Sequence, residues 1–209
     1  MSETIGRDEI TKMVLSAVGK IRQNHELLTQ LDSATGDGDH GTTMLRSMQA
    51  VVDTIENNND KSLEDLLYDI GWSVMSADGG SVGPLLGSFF IGMSDAAESE
   101  SGLDCKAVAA MFEAGIKKMH KQSRAQIGDR TMMDAMLPAL EVFQSCEDGQ
   151  GINETLRAAA DAAKAGAEAT KDMIAKLGRA KNLGERVLGH QDPGATSVAL
   201  IFQGFYEGL

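Results

Sequence analysis

The chain has 209 residues, enough for one domain with its own core. Apolar residues make up 42% and charged residues 24%, the balance of a soluble globular protein, and no apolar run approaches the roughly 20 residues of a spanning helix, which argues against disorder and against a membrane protein. With 31 acidic against 19 basic side chains the net charge is −12, which repels a phosphate backbone and removes nucleic acid from the expected partners. Aromatics are only 4%, so propensity favours helix nearly everywhere. Ile10, Met13, Val14, Ala17, Val18 and Ile21 form the apolar stripe of a first helix, expected over about Arg7 to Gln30. Met44, Leu45, Met48, Val51, Val52 and Ile55 repeat the pattern in a second, which ends at Asn57–Asp60. Ser62 with Asp65 forms a capping box for a third helix carrying Leu63, Leu66, Leu67, Ile70 and Val74.

Pro84 suits the first turn of a fourth helix, and Val108 to Met119 mark a fifth. Met132, Met133, Met136, Leu140 and Phe143 define a sixth, in which Pro138 is expected to kink the helix or delay its start. Asn153 is the expected cap of an Ala-rich seventh reaching roughly Leu177, and Ala195 to Tyr206 close the chain. Glu98 to Gly102 reads as a solvated loop. Cys105 and Cys146, far apart in sequence, read as two reduced core thiols. The N-terminal residues lack the basic flank and apolar stretch of a signal peptide, so a cytoplasmic location is expected. The expectation is a single all-α domain over residues 1–209, a bundle or barrel of about eight antiparallel amphipathic helices.

The chemistry lies in the loops. Four glycine-rich segments interrupt the helices: Gly36-Asp37-Gly38-Asp39-His40-Gly41, Gly79 to Pro84, Gly128-Asp129-Arg130-Thr131, and Gly178 through Gly194. In an antiparallel bundle alternate loops share an end, so these segments can converge. The first formally satisfies G-x-G-x-x-G but has no strand before it and two aspartates inside it, so it is not a dinucleotide fingerprint. Asp32, Asp37 and Asp39 cluster ahead of the second helix, which is costly unless a cation neutralises them. Hard oxygen ligands of this kind suit Mg²⁺, which shares its shell with substrate phosphates. An EF-hand is excluded, because Thr42 and Met48 occupy the positions, counted from Asp37, where Gly and Glu are required. As a bare alternative the aspartates only cap a helix and make turns.

Ser81, Thr131 and Arg179 suit phosphate oxygens, and His40 lies beside two of the proposed ligands. Arg124, Arg130, Lys181 and Arg186 read as solvated charges, and His190 as a residue that orders its loop. His25 and His120, inside helices, read as surface or core-edge residues. No nucleophile paired with a base is evident. A Mg²⁺ and phosphate cradle without a general base points to phosphoryl transfer, where positioning and charge neutralisation carry most of the catalysis.

Leu31 to Gly41, Gly79 to Leu85, Gly128 to Asp134, Leu183 to Arg186 and Gly189 to Ser197, taken in order, resemble the nucleotide-binding L subunits of dihydroxyacetone kinases. The resemblance implies an eight-helix barrel with the nucleotide in the loops at one end, and two Mg²⁺ ions on Asp32, Asp37 and Asp39. It implies that His40, Gly41, Thr42, Thr43, Gly80, Ser81 and Val82 line the phosphate and ribose side. Ser123, Thr131, Met132 and the Asp192-Pro193-Gly194 turn would border the nucleotide, with Arg179 reaching its phosphates. A lone L domain implies the phosphotransferase-system branch: bound ADP is rephosphorylated to ATP by a phosphohistidine protein of the M-subunit type, and the γ-phosphoryl passes to dihydroxyacetone held by a histidine of a separate K subunit. A homodimer and docking on a transcription regulator as a nucleotide sensor also fit the resemblance. Lys181-Asn182 and Val82 depart from the family pattern and leave the sugar open, a tetrulose phosphorylated from ATP included. A Mg²⁺-dependent helical hydrolase is the remaining alternative.

Overall fold

The computed structural model describes residues 4–58, 60–77, 80–97, 102–147 and 149–209; Gly79 and most of the Glu98–Gly102 loop lie outside them. Eight α-helices follow in chain order: α1 (Arg7–Thr35), α2 (His40–Asn57), α3 (Leu63–Ser76), α4 (Val82–Ser94), α5 (Cys105–Lys121), α6 (Met133–Gln144), α7 (Ile152–Ala169) and α8 (Pro193–Glu207). Short 3₁₀ segments at Thr170–Asp172 and Arg179–Val187 join α7 to α8. The described residues hold no strand pair beyond one isolated bridge between Ile5 and Leu103. None of the helices is long and apolar enough to cross a membrane.

Each helix packs on its successor, and α8 packs back on α1, which closes the ring into a barrel. A stripe of about three apolar positions per two turns suffices for this, because each helix needs one face for the interior and its flanks for two neighbours. The closing seam is tight. A Cβ on Gly204 of α8 would lie 2.3 Å from the Ala17 Cα, so only glycine allows α8 and α1 to approach this closely. Inside the barrel, Phe112 stacks on Phe143 at 4.6 Å between centroids and meets Phe89, Phe202 and Phe205, joining α4, α5, α6 and α8 in one aromatic cluster.

Ser62 caps α3 by accepting the Asp65 N–H at 3.0 Å, while the Asp65 carboxylate accepts from the Ser62 hydroxyl rather than from its backbone, so half of the capping box forms. Three boundaries differ from expectation. α1 continues to Thr35, which takes Asp32 into its last turn. α7 starts behind Gly151, so Asn153 lies inside its first turn and caps nothing, and it stops at Ala169, where the Thr170 hydroxyl donates to the Ala167 carbonyl at 2.6 Å. α6 runs through Pro138, since one proline near a helix start forfeits only the bond to the Asp134 carbonyl. No disulfide joins the two thiols, of which Cys105 lies in the core and Cys146 is only half-buried, but they are adjacent: Cys105 Sγ and Cys146 Sγ are 2.8 Å apart.

Candidate functional site

The up-and-down course of the chain brings the α1–α2, α3–α4, α5–α6 and α7–α8 connections to one end of the barrel. They surround a cleft of 740 Å³, within the size range of small-molecule sites. Its acidic side is built on Asp32. The Asp32 Oδ2 accepts the backbone N–H groups of Asp39 (2.9 Å) and His40 (3.1 Å), so the cap of α2 comes from the end of α1. A Cβ on Gly36 would lie 2.3 Å from the Asp32 Oδ1, which makes glycine a condition of this contact. Asp39 stands at the formal cap position without a side-chain capping bond.

Because Asp32 already caps the helix, the Asp37 and Asp39 carboxylates are left for another partner. One oxygen from each of Asp32, Asp37 and Asp39 lies within 4.8 Å of the others. The guanidinium of Arg179, from the α7–α8 connection, answers this charge: its Nη1 donates to Asp37 and lies 3.6 Å from Asp39. Arg179 is therefore turned onto the acidic turn. A triad of hard oxygen donors beside an open cleft, already attracting a cation, suits Mg²⁺.

The opposite wall is organised by a buried arginine. Arg130 is 1% exposed and holds φ at +60°, a conformation uncommon for a residue with a Cβ. This overturns its reading as a solvated charge. Its Nη2 donates to the His190 carbonyl at 2.9 Å and its Nη1 lies 3.8 Å from Asp192, while Nε and Nη1 have no hydrogen-bond acceptor. Asp134 fixes the turn by accepting the N–H groups of Gly128 (2.5 Å) and Thr131 (2.7 Å). Asp192 caps α8 through the Ala195 N–H at 2.8 Å, and its own N–H donates to the Thr170 hydroxyl. Burial pushes the Asp192 carboxyl up to about 6, against the pull of the Ala195 N–H and of Arg130. Burial likewise lowers the Arg130 guanidinium from its ordinary value.

Between the walls, His40 is buried, with Nε2 3.2 Å from the Ser197 hydroxyl, which itself donates to the Gly194 carbonyl. The Pro193 carbonyl is a second partner of the ring, so His40 is fixed against the first turn of α8. Burial holds His40 below its ordinary pKa in spite of Asp32 and Asp39.

Of the residues singled out in the sequence, Asp32, Asp39, His40, Thr43, Gly80, Ser81, Val82, Ser123, Thr131, Met132, Arg179, Asp192, Pro193 and Gly194 all line the cleft. Asp37, Gly41 and Thr42 do not. Asp37 engages Arg179, and Gly41 faces α1, where a Cβ would lie 2.1 Å from the His25 carbonyl. Thr42 is exposed. Gly36 and Leu85, which end or open the quoted segments, also line the cleft, and Thr35, Gln122, Ala125 and Leu177, not singled out in the sequence, contribute to its walls. Their only sequence signal is proximity to the glycine-rich segments. His190 contributes through its carbonyl, and its ring is exposed.

An all-helical barrel with a carboxylate triad, a helix N-terminus and cationic side chains around one terminal cleft is the architecture of a nucleotide-phosphate-handling domain. Residues 34–207 match the DAK2 domain, and the chain belongs to that family. It is 36% identical over 201 residues to the PEP-dependent dihydroxyacetone kinase, ADP-binding subunit DhaL, of Escherichia coli strain K12, with 96% of each chain aligned. A second relative, the ADP-binding subunit DhaL of PEP-dependent dihydroxyacetone kinase 1 from Listeria innocua, is 35% identical over 188 residues, 90% of this chain and 89% of its own. The dihydroxyacetone kinase of C. freundii, solved in complex with AMP-PNP and Mg²⁺, superposes with a TM-score of 0.73 at 26% identity. That match covers 100% of this chain and 35% of the longer kinase.

Proposed function

We propose that this chain is the nucleotide-binding subunit of a small-ketose kinase, dihydroxyacetone being the favoured substrate. The observation that carries the reading is the carboxylate triad at the edge of the cleft, two of whose members already draw a guanidinium. When bound, two Mg²⁺ ions supply the charge neutralisation that phosphoryl transfer needs. Asp32, Asp37 and Asp39 would hold them, with Asp32 fixed in place by its bonds to the α2 backbone. The α2 N-terminus, Thr43, Ser81 and Thr131 orient phosphate oxygens. His40, held by Ser197, borders the same site, and burial keeps its ring from charging. Met132, Leu85 and Leu177 offer an apolar wall to the base, and Gly80, Val82, Ser123 and the Asp192-Pro193-Gly194 turn complete the enclosure. Arg179 exchanges its carboxylate partners for phosphate oxygens.

The sugar is held by a separate K-type subunit, and a phosphohistidine protein returns bound ADP to ATP. Exposed large apolar side chains at the cleft end, Ile127, Ile174, Leu177 and Leu188, support a partner that covers this face. The test is to denature the purified protein and identify what it releases, then to assay ketose phosphorylation with and without a K-type subunit and a phosphohistidine donor. Stoichiometric ADP and activity only in the full mixture are expected. An empty protein overturns the retained cofactor, and turnover by the chain alone overturns its role as a subunit.

A further inference from the structure

At the end of the barrel away from the cleft, Cys105 opens α5 and Cys146 follows the end of α6. Their sulfurs are 2.8 Å apart, inside the van der Waals contact of two sulfur atoms and less than about 1 Å beyond an S–S bond. The Cys105 Sγ also lies 3.2 Å from the Thr155 hydroxyl of α7, so its position is set by packing. Cys105 is buried, and Cys146 is half-buried. Burial, together with the hydrogen bond from Cys105, pushes the Cys146 thiol up to about 11. No disulfide joins the resting pair.

We propose that Cys105 and Cys146 are a reversible oxidation site, converted by a hydroperoxide into an intramolecular disulfide that staples α5 to α6. In the first step the Cys146 thiol gives up its proton, which its raised pKa makes the slow event at neutral pH, and its sulfur takes the terminal oxygen of the hydroperoxide while the proton goes to the departing oxygen. The O–O bond breaks, the alcohol or water leaves, and a sulfenic acid remains. The Cys105 sulfur then displaces that oxygen, which leaves as water with the Cys105 proton as the S–S bond forms. Two electrons pass from the two sulfurs to the peroxide. Geometry favours this outcome over further oxidation, because the resolving thiol is already in contact.

The staple closes a loop between residues 41 positions apart, and that loop carries the Gln122–Met132 wall of the cleft at its far end. Cross-linking a loop of this length constrains the unfolded chain strongly while leaving the folded cleft untouched.

The test is to expose the intact protein to hydrogen peroxide, alkylate it in denaturant, and map peptides without reduction. The expected result is loss of both alkylatable thiols, a monomer lighter by two hydrogen atoms, and Cys105 and Cys146 peptides joined. The unfolding midpoint should rise by roughly 5–10 °C and return when a dithiol reductant is added. Cys105→Ser should stop at a sulfenic acid that dimedone traps, with no rise in midpoint. The proposal is overturned if both cysteines remain alkylatable, if Cys146 proceeds to sulfinic acid beside a free Cys105, or if the product is a covalent dimer. The peptide map on the unmodified sequence decides the matter even if the serine variant does not fold.

Discussion

The cleft holds two arginine–aspartate contacts that differ in everything except chemistry. Arg179 meets Asp37 and Asp39 with its side chain 64% exposed, at the tip of a connection that contains no α-helix. Arg130 meets Asp192 with its side chain at 0% exposure, in a strained turn whose backbone is held by Asp134 and whose guanidinium is held by the His190 carbonyl. An exposed pair contributes little and exchanges partners cheaply, because water solvates either ion when they part. A buried pair is costly to assemble and more costly to break, because the survivor stays desolvated. The acidic side is thus suited to a cation and a phosphate that come and go, and the opposite wall to a fixed frame.

Four changes break or sharpen this contrast. Arg130→Met should have the largest effect, about 3–5 kcal/mol of stability by urea unfolding, with much of it recovered in the double variant Arg130→Met/Asp192→Asn. A loss below about 1 kcal/mol would show that the pair is no frame. Asp37→Ala should weaken Mg-ADP binding on the order of 100-fold by calorimetry, about 2–3 kcal/mol, while the ligand-free protein unfolds at an unchanged denaturant midpoint. Equal nucleotide affinity in the variant would contradict the metal assignment.

The third change concerns pH. Folded Asp192 titrates near about 6 against 3.8 ordinarily, so between those values the folded state binds more proton than the unfolded one, and its contribution to stability falls as pH rises. His40 acts the other way: held below 6.5, it withdraws stability as pH drops beneath that value. Asp192→Asn should therefore remove a decline on the order of 1–2 kcal/mol between about pH 4 and 6 and leave the His40 rise. Identical pH profiles would refute the shift. Arg179→Gln should be the mildest, changing stability by less than about 1 kcal/mol and losing even that in molar salt.

The acidic turn was legible because three carboxylates between glycines are an electrostatic anomaly that composition alone exposes. The helix stripes were legible for an equally local reason, since Ile10 to Ile21 or Met44 to Ile55 repeat with the helical period whatever they pack against. Arg130 was not. A basic residue in a polar loop is normally solvated, and nothing adjacent to it announces that the α7–α8 connection folds over it. Gly41 likewise has a tertiary role that its motif does not announce, since a Cβ there would meet the backbone of α1. The end of α7 was misplaced because the Ala-rich pattern runs on, whereas Thr170 is recruited by Asp192, 22 residues away.

By itself the amino-acid order determined which segments are helical, which face of each is apolar, and that three acidic groups crowd one turn, since these follow from neighbours a few residues apart. Only tertiary structure decided which charges are buried, which carboxylate caps and which remain free, and that two distant cysteines touch. Those outcomes depend on desolvation and on contacts between helices remote in the chain, and neither is written in local periodicity.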